Sequence, residues 1–124
     1  MTSKILIISD DVSISLLLTF ALKEKNYLVR SVNKSVEGLE ECLQYSPNLV
    51  VIKYSSIGEP PDGATLCRHL RNHPDLATLP ILVISAKRGD AFQVGASVWF
   101  DLVFNIEQVL EQIAMLVSPA SDIS

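Results

Sequence analysis

Residues 4–11 read KILIISDD, a short run of apolar residues that stops at two adjacent aspartates. A run that is apolar at every position from Ile5 to Ile8 is typical of a strand buried on both faces of a parallel sheet. The aspartates mark the carboxyl end of this strand, where the chain enters an acidic loop. Ligands of open α/β sheets bind beyond the carboxyl ends of the strands, so Asp10 and Asp11 are the first candidate site residues.

The rest of the chain repeats this pattern, with apolar runs of strand length separated by segments of helical spacing. The later strands are predicted at 27–32, 49–54, 80–85 and 97–103, and the helices at 12–25, 35–45, 63–73 and 106–117. Asp11, Ser35 and Asn105 are placed to cap three of these helices. Five strands that alternate with helices predict an α/β fold: a doubly wound, five-stranded parallel sheet with helices on both faces.

The composition fits one small domain. The chain has 124 residues, of which 48% are hydrophobic, and a mean hydropathy of +0.32. We expect a single domain over residues 1–118, and a flexible tail or the start of a linker over 119–124. No apolar stretch approaches the ~18–20 residues of a membrane span, and no signal peptide precedes the first strand. A cytoplasmic location without membrane contact is therefore predicted.

Charge, cysteines and motifs exclude further classes of function. A net charge of −4 and a pI near 5.0 argue against direct nucleic-acid binding, which depends on clustered Lys and Arg. Cys42 and Cys67 lack C-x-x-C spacing and are interpreted as buried, reduced thiols. The sequence contains neither a Gly-rich phosphate loop nor a G-x-S-x-G motif. We therefore predict no cofactor, no catalytic residue and no enzymatic activity.

Several short motifs stand in an order and spacing that are specific as a set. They are the strand 5–9 with its acidic pair, PNLVVI at 47–52, Asp62-Gly63, PILVISA at 80–86, and Gly95-Ala96 ahead of Trp99. Through them the chain resembles, from Lys4 to Val117, the receiver domain of two-component response regulators, the CheY-like family. The resemblance implies the flavodoxin-like strand order 2-1-3-4-5 and a role in phosphorelay signal transduction.

The departures from the family pattern fall on the phosphorylation machinery. Lys53 stands where the resemblance implies the phosphorylated aspartate, and an ammonium group cannot serve as a carboxylate nucleophile. Leu102 stands where the family has a phosphate-pairing lysine, and Val103 where a proline follows it. The loop 54–62 is longer than the family pattern, and 87–94 is too short for a full fourth helix, which is expected to be shortened or absent. The chain is therefore predicted to be a pseudo-receiver without its phosphoacceptor.

The resemblance also suggests roles for the remaining pocket residues. Asp10, Asp11 and Ser85 would form a degenerate acidic pocket, in which the Lys53 ammonium takes the place of Mg²⁺ and locks one conformation through charge-assisted hydrogen bonds. No bound metal is expected. The competing interpretation is that Asp11 only caps the first helix while Lys53 points into water. For Ser85, at the position of the switch hydroxyl, a simple turn role is favoured.

The function predicted from these features is a phosphorylation-independent signalling module that acts by protein–protein interaction. A protein partner or a tethered output domain would bind the face of the fourth strand, the fifth strand and the last helix, with Trp99, Phe100 and Leu102 as contact candidates. Trp99 fits a half-buried core position equally well. Leu16 adds to an apolar face on the first helix, and a dimer is an open possibility.

Two alternative functions use the same residues differently. A Mg²⁺-dependent phosphotransfer receiver or enzyme would employ Asp10 and Asp11, but the sequence offers no well-placed nucleophile. A flavin or nucleotide binder would need a phosphate-binding loop after the first strand, where the two aspartates would repel a phosphate group. Exposure to acetyl phosphate discriminates the first alternative from an interaction module, because only a functional receiver gains a phosphoryl group.

Overall fold

The computed structural model describes residues 2–33, 38–54, 63–86 and 95–117, with the backbone alone at 63 and 64. The strands in these ranges are β1 (Lys4–Ser9), β2 (Leu28–Val32), β3 (Leu49–Lys53), β4 (Ile81–Ile84) and β5 (Val98–Phe100), and the helices are α1 (Val12–Glu24), α2 (Gly38–Tyr45), α3 (Gly63–Asn72) and α4 (Ile106–Val117). Neighbouring strands are parallel and their order is β2-β1-β3-β4-β5. The predicted fold class and strand order are confirmed.

The sheet separates two core layers, because side chains alternate between its faces along each strand. On one face, Leu6 and Ile8 pack among residues of α2 and α3. On the other face, Ile5 and Ile7 pack among residues of α1 and α4. All four side chains are buried. The continuous apolar run of β1 therefore reflects helices on both faces of the sheet, as the sequence predicted.

The helices next to the candidate site begin and end at recognisable caps. Asp11 caps α1, since its Oδ1 accepts a hydrogen bond of 3.0 Å from the backbone N–H of Ile14. Asn105 caps α4 in the same way. After the last turn of α1, Asn26 adopts a φ of 69°, the left-handed conformation that ends helices. The predicted caps at Asp11 and Asn105 are confirmed.

The predicted extent of β5 is wrong. The sequence predicted a strand over 97–103, whereas β5 ends at Phe100. The reason is Asp101, whose Oδ1 accepts a hydrogen bond of 2.9 Å from the backbone N–H of Val103 and closes a turn. Leu102 therefore lies in this turn and not in the sheet. The strands predicted at 27–32, 49–54 and 80–85 are each shorter by one or two residues.

Arg71 ties the end of α3 to the segment that leads into β5. Its guanidinium donates hydrogen bonds to the carbonyl oxygens of Gly95 at 2.8 Å, Ala77 at 3.0 Å and Leu79 at 2.6 Å, and to Ser97 Oγ at 3.3 Å. Gly95 has a φ of 102°, and a Cβ there would lie 2.6 Å from Cγ of Arg71. A glycine is required here both by the backbone conformation and by the close approach of the arginine.

Several further predictions concern other parts of the chain. The Ser35 cap, most of the loop 54–62, the shortened helix at 87–94 and the tail at 119–124 lie outside the described residues. Cys42 and Cys67 are both buried, in agreement with the prediction that they are core residues. In the part of the chain that the structure describes, no helix has the length and apolar character needed to cross a membrane. The cytoplasmic location stays a prediction.

Candidate functional site

The candidate site lies where the carboxyl ends of β1 and β3 meet. The two strands are adjacent and parallel, and their register pairs Ser9 with Lys53. Because both strands end at this pair, the chain that follows β1 carries Asp10 and Asp11 to the same edge as Lys53. The topology thus brings together residues that are more than forty positions apart in the sequence.

Lys53 points at the acidic pair. Its Nζ lies 3.7 Å from Oδ1 of Asp10 and 4.0 Å from Oδ2 of Asp11. The Lys53 side chain is only 10% exposed, whereas Asp10 is 73% and Asp11 38% exposed. These distances are those of ion pairs and exceed hydrogen-bond length, so the charge-assisted hydrogen bonds that the sequence suggested are not formed here. The contact is electrostatic.

Solvent limits the energy of this electrostatic interaction. Two unit charges at about 4 Å attract each other by roughly 1 kcal/mol in water and about 4 kcal/mol near a protein surface. The high exposure of Asp10 favours the lower figure, and ordering the lysine side chain costs entropy, so each pair contributes roughly 0–1 kcal/mol net. The pairs therefore add little to stability, and their main effect is to hold a positive charge inside the pocket.

Asp11 has two roles at once. Its Oδ1 caps α1, while its Oδ2 faces the ammonium of Lys53. The loop is held by Ser9, whose Oγ accepts a hydrogen bond of 3.1 Å from the backbone N–H of Asp11. Sequence reasoning did not identify Ser9, although a serine two residues before an aspartate at a strand end is a familiar turn signal. The cap and the cation contact are thus compatible, and they coexist in one side chain.

Ser85 lies at the end of β4 and interacts with the neighbouring strand. Its side chain is fully buried, and its backbone N–H donates to the carbonyl of Phe100 at 3.0 Å. Its Oγ accepts a hydrogen bond of 3.1 Å from the indole Nε1 of Trp99. The sequence did not predict this pairing of hydroxyl and indole. This hydrogen bond fixes the Trp99 ring through its indole nitrogen.

The three candidate contact residues do not share one surface. Trp99 is half-buried against the core layer under α2 and α3, whereas Phe100 is half-buried against the layer under α1 and α4. The two aromatic side chains alternate across β5, as successive strand residues must. Leu102, in the turn after β5, is exposed. Of these three residues, Leu102 is the one that presents its side chain to solvent.

The fold implies a divalent cation in this acidic pocket. Mg²⁺ is bound by oxygen ligands, chiefly carboxylates, and Asp10 and Asp11 would supply two of them. Lys53 places an ammonium group within 4.0 Å of both carboxylates, so a divalent ion between them would meet a like charge at short range. Within the described ranges, no group of three His, Cys, Asp or Glu side chains could hold a metal ion. The residues that are present do not fit Mg²⁺.

Comparison with known proteins places this geometry in a family context. The chain is 28% identical over 121 residues to the transcriptional regulatory protein GltR of Pseudomonas aeruginosa, covering 94% of this chain and 49% of GltR. It is 30% identical over 122 residues to the transcriptional regulatory protein KdpE of Staphylococcus aureus, covering 94% of this chain and 50% of KdpE. The chain therefore spans about half the length of the curated relatives it matches. No protein-family model matches the sequence.

Solved structures of response regulators have a fold similar to that of this chain. The chemotaxis response regulator CheY4 of Vibrio cholerae superposes with a TM-score of 0.82 at 20% identity, over 94% of this chain and 99% of that one. At this identity the likeness is one of fold. Sequence relatives and strand order together define a receiver-type domain of two-component signalling. The chain belongs to the CheY-like family of response-regulator receiver domains.

Proposed function

We propose that this receiver domain is a pseudo-receiver: a signalling module that works by protein–protein interaction, whatever the state of phosphorylation, and that catalyses no reaction. The observation that carries the proposal is the position of Lys53. Its side chain is 10% exposed, and its Nζ lies 3.7 Å from Asp10 and 4.0 Å from Asp11. A positive charge thus stands at the end of β3, beside the acidic pair.

The chemistry of lysine supports independence from phosphorylation. Aspartyl phosphorylation needs a carboxylate that attacks phosphorus, and a protonated amine has no free electron pair with which to do so. Leu102 supplies no cation to neutralise a phosphoryl group, since its side chain is apolar and lies in the turn after β5. The pocket therefore lacks both an acceptor at residue 53 and a lysine at residue 102.

The contact between Ser85 and Trp99 supports a single resting arrangement of the pocket. The Ser85 hydroxyl already accepts a hydrogen bond from the Trp99 indole, and Ser85 is fully buried. Moving the hydroxyl toward a ligand would leave the indole N–H without this acceptor, at a cost of about 1–3 kcal/mol if water could not replace it. In this proposal the domain keeps one conformation and presents one fixed surface.

The proposed partner is a protein or a tethered output domain. It would bind the face made by β4, β5 and α4, with the exposed Leu102 as the anchor and Trp99 and Phe100 supporting it from within. A tethered domain is supported by the curated relatives, of which this chain spans about half. The acidic net charge of −4 favours a protein partner over nucleic acid.

The proposal is tested by incubating the domain with acetyl phosphate and Mg²⁺ and recording its intact mass. An active receiver domain, run in parallel, provides the positive control. We expect no phosphoryl adduct on this chain under conditions in which the control is modified. An adduct that maps to Asp10 or Asp11 would refute phosphorylation independence.

The contact face is tested separately with a matched pair of variants. Leu102 and Leu43 are exposed to nearly the same extent, 42% and 41%, but Leu43 lies on α2. The two substitutions Leu102→Glu and Leu43→Glu make the same chemical change at two surfaces. Once a partner has been isolated, we expect Leu102→Glu to weaken binding at least tenfold and Leu43→Glu to leave it unchanged. Equal effects of the two variants would exclude the proposed face.

A further inference from the structure

A groove of about 460 Å³ lies between α4 and the connection that leads from α1 to β2. This volume falls in the range of ligand pockets, about 300–1,000 Å³. The groove is lined by Lys25, Tyr27, Glu107, Leu110, Glu111 and Ala114. None of these residues belongs to the acidic pocket around Lys53, so the groove is a separate feature of the surface.

The wall that α4 contributes is acidic. Glu107 and Glu111 are four residues apart, which places them on one side of the helix, and both are exposed. Among the described residues, neither of them forms an ion pair. The chain holds no Lys or Arg after Arg88, so α4 and the tail that follows it supply no cation of their own. Lys25, at the rim, offsets one of the two carboxylates, and the groove keeps a net negative charge.

The groove also offers apolar and aromatic contacts. The Tyr27 and Leu110 side chains are half-buried and pack against the core layer under α1 and α4. A tyrosine ring beside a carboxylate suits an arginine, because a planar guanidinium can stack on the ring while its N–H groups donate to the carboxylate. The aliphatic part of such a side chain would lie along Leu110 and Ala114.

The same combination of residue types is occupied by an arginine elsewhere in this chain. The guanidinium carbon of Arg30 lies 5.5 Å from the centre of the Tyr45 ring, and its Nε lies 3.3 Å from Oε2 of Glu41. In the groove, the tyrosine and the glutamates are present, but within the described ranges no Lys or Arg stacks on Tyr27. The groove therefore has the partners of an arginine without the arginine.

We infer that this groove binds an arginine side chain of a partner protein, with the guanidinium beside Tyr27, Glu107 and Glu111. Lysine fits less well, because an ammonium group is a point charge that neither stacks on a ring nor binds a carboxylate through two parallel hydrogen bonds. The inference rests on the proposed function in one respect, namely that the partner is a protein. It adds to that function a second contact on α4, of stated chemistry.

The test is an NMR titration of the full chain with a blocked glycine-arginine-glycine tripeptide at constant ionic strength. We expect saturable shifts of the amide resonances of Tyr27, Leu110 and Ala114, with a dissociation constant in the millimolar range. The matching lysine tripeptide should bind more weakly. An absence of saturable shifts at these amides, or equal affinity for the two tripeptides, would overturn the arginine site.

Three variants test whether the charges of the groove determine the affinity. Glu111→Gln should weaken binding of the arginine tripeptide about threefold, the effect of one exposed ion pair. Lys25→Gln should strengthen it about twofold, because it removes a like charge from the rim. Glu40→Gln makes the same chemical change at an exposed position on α2 and should leave the affinity unchanged. All three positions are exposed, so the melting temperatures should stay the same. Equal affinities of Glu111→Gln and Glu40→Gln would contradict the inference.

Further outcomes separate this inference from the proposed function. Once a partner has been isolated, Glu111→Gln should weaken its binding about threefold. Unchanged partner binding, with tripeptide binding intact in the wild type, would overturn the protein as the source of the guanidinium and would point to a small compound. A phosphoryl adduct after treatment with acetyl phosphate, together with saturable binding of the arginine tripeptide, would refute the pseudo-receiver and support the arginine site.

Discussion

The hydrogen bond between Trp99 and Ser85 leads to a prediction that can be measured at a single site. Trp99 is the only tryptophan of the chain, so its fluorescence reports on this contact without labels. The perturbation is Ser85→Ala, which removes the hydroxyl that accepts the indole N–H at 3.1 Å. Ser85 is fully buried, so the substitution changes no solvent-exposed surface. We expect the emission of Trp99 to shift to the red as the ring loses its anchor.

The expected change in stability follows from the burial of the donor and of the acceptor of this hydrogen bond. A buried donor that loses its acceptor costs about 1–3 kcal/mol, and a typical hydrogen bond contributes about 1 kcal/mol net. Because Trp99 is half-buried, water can partly replace the lost hydroxyl, which places the expected loss at the lower end. We predict that Ser85→Ala lowers the free energy of unfolding by about 1 kcal/mol, equivalent to about 4 °C in melting temperature for a domain of this size.

A double-mutant cycle isolates the contact from other effects of the substitutions. Urea unfolding is followed by circular dichroism in the wild type, Ser85→Ala, Trp99→Phe and the double variant. The coupling energy should be about 1 kcal/mol, because Phe lacks the indole N–H. Ser31→Ala, at an exposed position on the edge strand β2, serves as a control and should change stability by less than about 0.5 kcal/mol. A coupling energy below about 0.3 kcal/mol, the error of additive behaviour, would refute the reasoning.

Three further predictions concern other contacts. Arg71→Met should lower the free energy of unfolding by urea by about 2 kcal/mol, because several carbonyl groups lose their hydrogen-bond donor. Arg71→Lys should recover less than half of this loss, since an ammonium group cannot reproduce the planar, multidentate geometry of the guanidinium. Asp11→Ala should cost about 1 kcal/mol through loss of the α1 cap, whereas Asp11→Asn should keep most of that stability; equal losses would contradict the capping role. Burial, with a smaller contribution from Glu41, raises the pKa of the Cys42 thiol to about 12. At about pH 8 only one molecule in about ten thousand then carries the thiolate, so Cys42 should resist a thiol reagent until the domain unfolds; rapid modification of the folded domain would contradict its burial.

The fold was largely predictable from the sequence because two separate signals identify a strand: its apolar run and the residues that end it. β1, for instance, is apolar throughout, which identifies a strand covered on both faces, and it ends at a helix cap that fixes where the next element begins. The extent of β5 was not predictable in the same way. Residues 97–103 read as a strand from composition, but Asp101 closes a turn through its own side chain, and this local hydrogen bond competes with the sheet.

The site was predictable in its members but not in its contacts. Parallel strand ends must meet at one edge, so Asp10, Asp11 and Lys53 could be grouped by position alone. Whether the lysine would face the carboxylates or the solvent depends on its rotamer, which the sequence does not encode locally. The bond between Ser85 and Trp99 joins two strands and was equally out of reach, because a hydroxyl and an indole carry no periodic signal.

The most direct test of the central claim is a Mg²⁺ titration followed by the amide resonances of Asp10, Asp11 and residue 53. The variant Lys53→Asp serves as the comparison, because it replaces the ammonium by a third carboxylate beside the acidic pair. We predict no saturable shift in the wild type at millimolar Mg²⁺ and a saturable shift in Lys53→Asp. A wild-type chain that binds Mg²⁺ at Asp10 as tightly as the variant would show that the lysine does not stand in the place of the metal.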